Sequence, residues 1–268
     1  MTEQLEGAVS VSAPVVGEKE AVVSPAAASA WWKPKAGILW QIQFAKPPID
    51  TAANPELFDV DLYDTPQSVI DELHKRGQRV ICYINMGAWE NWREDKGDYP
   101  AAVLGKDYQG WPGEKWVDIR AIDSLAPILR RRMDLCKSKG FDGVEPDNVN
   151  GYQNDTGFPL TADDQLKFNR FIANEAHKRG LAIGLKNDNE QVGELVDSFD
   201  WVVTEGCASD GWCYDMKPFL DKGKPVLQIE YTDTDIKFQN VCGGYVRDGF
   251  SPILKNRELD GWVEQCKK

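Results

Sequence analysis

Histidine is nearly missing from this chain. Only His74 and His177 occur among 268 residues, and neither lies near a cysteine in sequence. None of the six cysteines (Cys82, Cys136, Cys207, Cys213, Cys242, Cys266) forms a C-x-x-C pair. A zinc site needs thiolate and imidazole ligands at short, regular spacings. No zinc site is therefore expected, and no metal or other cofactor is assigned. Neither G-x-G-x-x-G nor a Walker-type phosphate loop occurs, which removes the usual nucleotide chemistry. No run of about 18 apolar residues is present, so no membrane span is expected.

Positive charge is also scarce. Lysine and arginine number 31 against 43 acids, a formal net charge of −12. A nucleic-acid binder carries the opposite balance, so no nucleic-acid partner is expected. Acidity on this scale favours a cationic partner, although it also serves solubility alone. No Pro/Gly/Ser-rich linker divides the chain, which points to one core and one domain, expected as a monomer.

Residues 1–30 contain no aromatic residue and no useful helical or strand period. They read as a flexible tail that lacks the basic start and continuous apolar core of a signal peptide. The folded domain is expected over residues 31–268. Among the cysteines, Cys207 and Cys213 bracket a short loop that a disulfide could close, and Cys242 and Cys266 could tie down the C-terminal segment. Cys82 and Cys136 read as buried thiols. This usage favours an oxidising setting, extracellular or at the cell surface.

A repeat organises the remainder. Four segments, LHKRG-QRVICYIN, CKSKG-FDGVEPDN, AHKRG-LAIGLKN and LDKG-KPVLQIEY, share one grammar. Basic residues complement a helix end, a glycine (Gly77, Gly140, Gly180, Gly223) supplies a left-handed stop, and a β-rich run follows. Eight strands are predicted, over 38–43, 59–63, 79–85, 116–119, 143–147, 182–187, 201–205 and 225–231. Helices are predicted over 65–76, 121–139, 161–179 and 214–222. This alternation predicts an α/β fold, a single-domain (β/α)8 TIM barrel, with a doubly wound open sheet as the alternative.

In such a barrel, function lies at the C-terminal strand ends. The predicted ends carry Gln41, Gln43, Asp61, Tyr83, Asn85, Asp118, Glu145, Asp147, Lys186, Asn187, Glu205 and Glu230. Residues two apart on a strand share a face, so Gly143, Glu145 and Asp147 point inward together, with room expected above Gly143. Convergent carboxylates can hold a hard cation or act as an acid–base or nucleophile pair. Lys186 in the same ring already supplies a positive charge, which weakens the metal reading. Carboxylates paired with basic residues purely for the fold are the third reading. The long stretch 86–116 carries Trp89, Trp92, Trp111, Trp116, Tyr99 and Tyr108, and its flat rings suit stacking on sugar faces. Packing of these rings as core is the other reading, and the better one for Trp116.

Several motifs resemble glycoside hydrolase family 114. They are GFDGVEPDNVNGY at 140–152, CYINMG at 82–87, ENWR at 90–93 and WPGEKWVDIR at 111–120, then LKN at 185–187, TEGC at 204–207 and IEY at 229–231. They occur in one order and span roughly residues 31–268. The resemblance implies a TIM barrel and a retaining endo-α-1,4-polygalactosaminidase acting on galactosaminogalactan of the kind found in fungal biofilms. It implies Asp147 as nucleophile and Glu205 as general acid/base, on the fifth and seventh predicted strands, facing each other across the barrel. Gln43, Asp61, Tyr83, Asn85, Trp89, Glu145, Asn148, Lys186, Asn187, Glu230 and Tyr231 are the expected substrate-binding residues. The implied partner is a cationic, partly deacetylated glycan. The chain departs from the family pattern at Asn150, where Asp is common, and at Gly206, where Gln is common. Asn154-Asp155-Thr156 forms a glycosylation sequon near the expected cleft. A non-catalytic glycan-binding barrel and a metal-dependent barrel lyase or aldolase are the competing functions.

Overall fold

The computed structural model describes residues 30–45, 47–52 and 54–266. The tail expected over 1–30 therefore lies almost wholly outside the described residues. Twelve strands follow in chain order: β1 (Trp40–Gln43), β2 (Leu57–Asp61), β3 (Arg79–Asn85), β4 (Ala88–Glu90), β5 (Leu104–Asp107), β6 (Glu114–Val117), β7 (Gly143–Asp147), β8 (Ala182–Lys186), β9 (Trp201–Glu205), β10 (Val226–Tyr231), β11 (Ser251–Lys255) and β12 (Val263–Gln265). The helices are α1 (Gln67–Lys75), α2 (Ile122–Ser138), α3 (Ala162–Lys178), α4 (Val192–Leu195), α5 (Cys207–Asp210), α6 (Lys217–Asp221) and α7 (Phe238–Tyr245).

The main sheet runs β1-β2-β3-β7-β8-β9-β10-β11-β12, parallel except for β12, and rolls into a nearly closed barrel. Between β11 and β1 the ring is joined by side chains. The Trp40 indole donates to Ser251 O at 2.8 Å, Gln265 Nε2 to Trp40 O at 3.0 Å, and Lys255 Nζ to Gln41 Oε1 at 3.0 Å.

The repeat read from sequence is borne out in the backbone. Gly77, Gly140, Gly180 and Gly223 all have φ between +67° and +87°, the left-handed stop after a helix. Thr161 and Asp164 form a reciprocal capping box that starts α3 at the expected place.

Alternation along the strands builds two apolar layers. Phe58, Val80, Val144, Ile183, Val202 and Val226 face outward and pack with Leu73, Leu129, Phe168 and Phe219 of the surrounding helices. Trp40, Leu57, Ile81, Trp201, Leu227 and Ile253 fill the interior. The room expected above Gly143 is taken by Trp201: a Cβ on Gly143 would come within 2.8 Å of its ring, and one on Gly184 within 2.2 Å.

Three expectations are corrected. The predicted barrel strand 116–119 is not in the barrel. Trp116 and Val117 belong to β6, the centre of a separate antiparallel sheet, β4-β6-β5, within the insertion between β3 and α2, and Asp118 and Ile119 lie in no strand. The eighth barrel strand is β11 instead. Finally, Cys82 and Cys136 are not free thiols. They form a disulfide that ties β3 to α2, beside the expected Cys207–Cys213 and Cys242–Cys266 pairs.

Both histidines serve the fold. His74 and His177, in the last turns of α1 and α3, lie 2.9 Å from Asp142 and Asp200, acids just before strands β7 and β9.

Candidate active site

Three neighbouring strands end in the groups that dominate the barrel mouth. Asp147 ends β7, Lys186 ends β8 and Glu205 ends β9. With 116–119 outside the barrel, the two acids stand on its fourth and sixth strands. They do not face each other across the lumen as expected: only one strand separates them, as it also does between the fifth and seventh predicted strands, and Lys186 stands on it. Its Nζ lies 3.0 Å from Asp147 Oδ1, 3.3 Å from Glu205 Oε2 and 3.5 Å from Glu145 Oε1 below.

Each of these three residues is followed by one in the left-handed region: Asn148 (φ 60°), Asn187 (φ 52°) and Gly206 (φ 67°). The chain turns sharply there, which leaves the functional side chain at the rim. Glycine tolerates that conformation at 206 without strain. The turns also supply second contacts. Asn187 Oδ1 accepts the Glu205 N–H at 3.0 Å, and Asn148 Nδ2 donates to Asn85 Oδ1 at 3.1 Å.

Asp147 is built to stay ionised. Burial pushes its carboxyl up, but Lys186, the Tyr83 hydroxyl at 2.9 Å and the Asn148 backbone together hold it below the usual range. Burial likewise opposes the charge on Lys186, yet Asp147, Glu205 and Glu145 keep it well above its ordinary value. Glu205 receives the Tyr231 hydroxyl on Oε1, and the Arg257 guanidinium lies 3.7 Å above the Tyr231 ring.

Above these groups lies a cleft of about 400 Å³. Of the expected site residues, Asp61, Tyr83, Asp147, Asn148, Lys186, Asn187 and Glu205 line it. Tyr231 reaches it through Glu205. Asn85 sits behind the wall and donates to Glu114 Oε2 at 3.0 Å.

The others are placed elsewhere. Gln43 fastens its own loop, donating to Ala45 O and Pro48 O and accepting the Asp50 N–H. Glu145 is wholly buried beneath Lys186. Glu230 faces the helical layer, where it accepts the Ala208 and Ser209 N–H groups. The Trp89 ring packs against the outer core, and its indole donates to Lys96 O. Trp116 is buried, as its core reading expected.

Trp92 and Trp111 are the aromatic residues that line the cleft with half of each side chain exposed. Tyr108, read in sequence among the rings suited to stacking, lines the cleft as well, whereas Glu114, Arg257 and Glu258 were missed as site residues. Glu114 sat within a segment already singled out, but no local signal marks the loop bearing Arg257.

The insertion that roofs the cleft is stapled to the barrel by buried charge. Arg93 binds Asp61 at 2.5 Å and Glu90 at 2.9 Å, and Arg132 binds Asp95 and the Asn85 carbonyl, each at 2.8 Å. Glu114, on β6, lines the cleft with its carboxyl pushed up to about 7, by burial first and then by the charges of Glu90 and Asp147.

Among the described residues, the cysteine/acid cluster nearest to metal-ligand spacing is Cys207, Cys213 and Glu230. Its sulfurs are joined to each other and its carboxylate caps α5, so it offers no ligand set. At the mouth, the carboxylates already share an ammonium. A carboxylate held ionised beside a second carboxyl group is an arrangement that suits glycoside hydrolysis.

Comparison with known proteins agrees. The family model for glycoside hydrolase family GH114 matches residues 22–268. A crystal structure of Ega3 from Aspergillus fumigatus in complex with galactosamine is 39% identical, covering 89% of this chain and 98% of that one, with a TM-score of 0.83. The glycoside hydrolase domain of PelA from Pseudomonas aeruginosa shares the fold at 15% identity, covering 85% and 98% of the two chains, with a TM-score of 0.66. No curated protein sequence matched.

Proposed function

Because the chain belongs to glycoside hydrolase family GH114 and is thus a glycosidase, we propose that it cleaves α-1,4-linked, galactosamine-containing polysaccharide internally and with retention. Asp147 is the nucleophile and Glu205 the general acid/base. The observation that carries this reading is the single ammonium of Lys186 bridging both carboxylates. Two oxygens on one nitrogen can lie no farther apart than the two contact distances together, which accommodates the roughly 5–5.5 Å of a retaining pair.

Asp147 attacks the anomeric carbon as Glu205 gives its proton to the departing glycosidic oxygen, and the C–O bond breaks. The product is a glycosyl ester on Asp147. Glu205, now a carboxylate, takes a proton from water as that water attacks the same carbon and frees Asp147. Lys186 and Tyr83 keep Asp147 charged for the first step, and Tyr231 orients Glu205 for both.

The cleft and the galactosamine-bound relative support the substrate class. Asp64, Glu114 and Glu258 offer carboxyl groups to a cationic, partly deacetylated glycan, and Trp92 and Trp111 offer stacking faces. Three disulfides fit work outside the cell, and we propose that the enzyme acts there as a monomer.

The test is incubation with purified galactosaminogalactan, with products read by mass spectrometry and their first-formed anomer by NMR. A ladder of oligosaccharides released as α-anomers is expected. Asp147→Asn and Glu205→Gln should each abolish release while circular dichroism stays unchanged. Normal turnover by Asp147→Asn would sink the assignment, and glycan binding without cleavage would favour a lectin-like barrel.

A further inference from the structure

Below the rim, two carboxyl groups meet in the barrel interior. Asp59 of β2 and Glu145 of β7 are wholly buried and within hydrogen-bonding reach of each other. None of their four oxygens receives an N–H or O–H donor from any other described residue. Two ionised carboxylates cannot share such a place, because an unpaired buried charge costs far more than taking up a proton. Lys186 provides one positive charge, 3.5 Å from Glu145. The arrangement is satisfied when one carboxyl carries a proton and donates it to the other.

We propose that Asp59 keeps its proton and donates it to Glu145, and that this bond makes Asp59 a positioning residue for Lys186. The proposal rests on the reading of Asp147 and Glu205 as the catalytic pair. Glu145 is the charged member because the ammonium stands beside it.

The charged groups facing this pair are Asp147 on β7, Lys186 on β8 and Glu205 on β9. With Asp59 neutral and Glu205 holding the proton it donates, the carboxylates of Asp147 and Glu145 share one ammonium. An ionised Asp59 would add a third and draw Lys186 downward, away from the two acids at the rim. Burial first, then the charge of Glu145, pushes the Asp59 carboxyl well above the ordinary range, against the opposing pull of Lys186. Its sequence position, two residues before Asp61 on one inward face, places it one layer below the mouth.

Two variants of the full chain separate the donor from mere bulk. Asp59→Asn retains a donor to Glu145, and Asp59→Leu removes it. We expect Asp59→Asn to stay within about threefold of the wild type in kcat, and Asp59→Leu to lose about tenfold or more, with KM changed less. The acid limb of the Asp59→Leu profile moves to higher pH, because Glu145 then competes harder for Lys186. Equal losses in the two variants, or none in either, would overturn the proposal.

Infrared spectroscopy at neutral pH gives a reading independent of turnover and of whether the Leu variant folds. The wild type is expected to show a protonated-carboxyl stretch that is missing from Asp59→Asn, read as a band in the difference spectrum over the carboxyl groups common to both. Absence of that band from the difference spectrum shows Asp59 ionised and ends the proposal. An active Asp147→Asn enzyme would instead sink the catalytic assignment and leave that band in place.

Discussion

Tyr231, at the end of β10, donates its hydroxyl to Glu205 Oε1 at the end of the neighbouring strand β9. Its ring is covered by Arg257, which also forms a 2.7 Å ion pair with Asp233. The proposed acid/base is thus oriented by a side chain that is itself held in place. Tyr231→Phe keeps the ring and removes one hydrogen bond to a charged group, worth about 1.5–3 kcal/mol. We expect kcat/KM to fall about 10–100-fold with little change in melting temperature. Unchanged kinetics would show that Glu205 does not depend on this contact.

Lys186 sets the charge of Asp147. Lys186→Met removes the charge and the hydrogen bond that offset burial, so the Asp147 carboxyl moves up. In the proposed mechanism activity needs this group ionised and falls as pH drops through its pKa. The acid limb of the variant should therefore lie at higher pH than that of the wild type, on top of a large loss of kcat. Removing one partner of a buried ion cluster also costs about 3–5 kcal/mol of stability. A pH–rate profile with an unmoved acid limb would break the link.

Glu114 makes stability depend on pH near neutrality. Its carboxyl titrates at about 7 in the folded chain, against about 4.3 for an ordinary glutamate. The folded state thus holds this proton more tightly. The associated stability is full below about pH 4 and is lost as pH rises through about 7. Glu114→Gln cannot lose it. Between those values its melting temperature should fall less than that of the wild type, and parallel curves would refute the assignment.

Among the disulfides, loop length ranks two by cost of removal. Cys82–Cys136 spans a sequence separation of 54, and Cys207–Cys213 one of 6. Loop-closure entropy gives about 4 kcal/mol for the first and about 2 kcal/mol for the second. Thermal melts of the paired Cys→Ala variants should follow that order, and the reverse order would mean that native-state packing dominates.

The barrel was legible because its grammar is local: a basic helix end, a glycine at positive φ and a β-branched run recur within single segments. The misplaced strand shows the limit of that signal. Residues 116–117 do form a strand, but nothing within Trp-Val-Asp-Ile tells which sheet it joins, since that depends on distant 88–90 and 104–107. β11 stayed hidden because its second residue is Pro252, which normally argues against an interior strand. Cys82 and Cys136 were likewise unpaired in sequence because one sits on a strand and the other on a helix. At the site, the face of each residue could be read from period two, which placed Asp147, Lys186 and Glu205 together. Glu230 was misjudged by the same rule, one position out of phase with inward Tyr231.

The left-handed residues that follow Asp147, Lys186 and Glu205 restrict how this enzyme can be re-engineered. Positions 148, 187 and 206 draw on a short alphabet of Gly, Asn and Asp, since branched or bulky side chains are strained at that backbone angle. A combinatorial library over these sites would return few survivors and little new chemistry. Variation aimed at substrate preference is better spent on the roofing insertion, where Trp92 and Trp111 sit half exposed and free of that restriction.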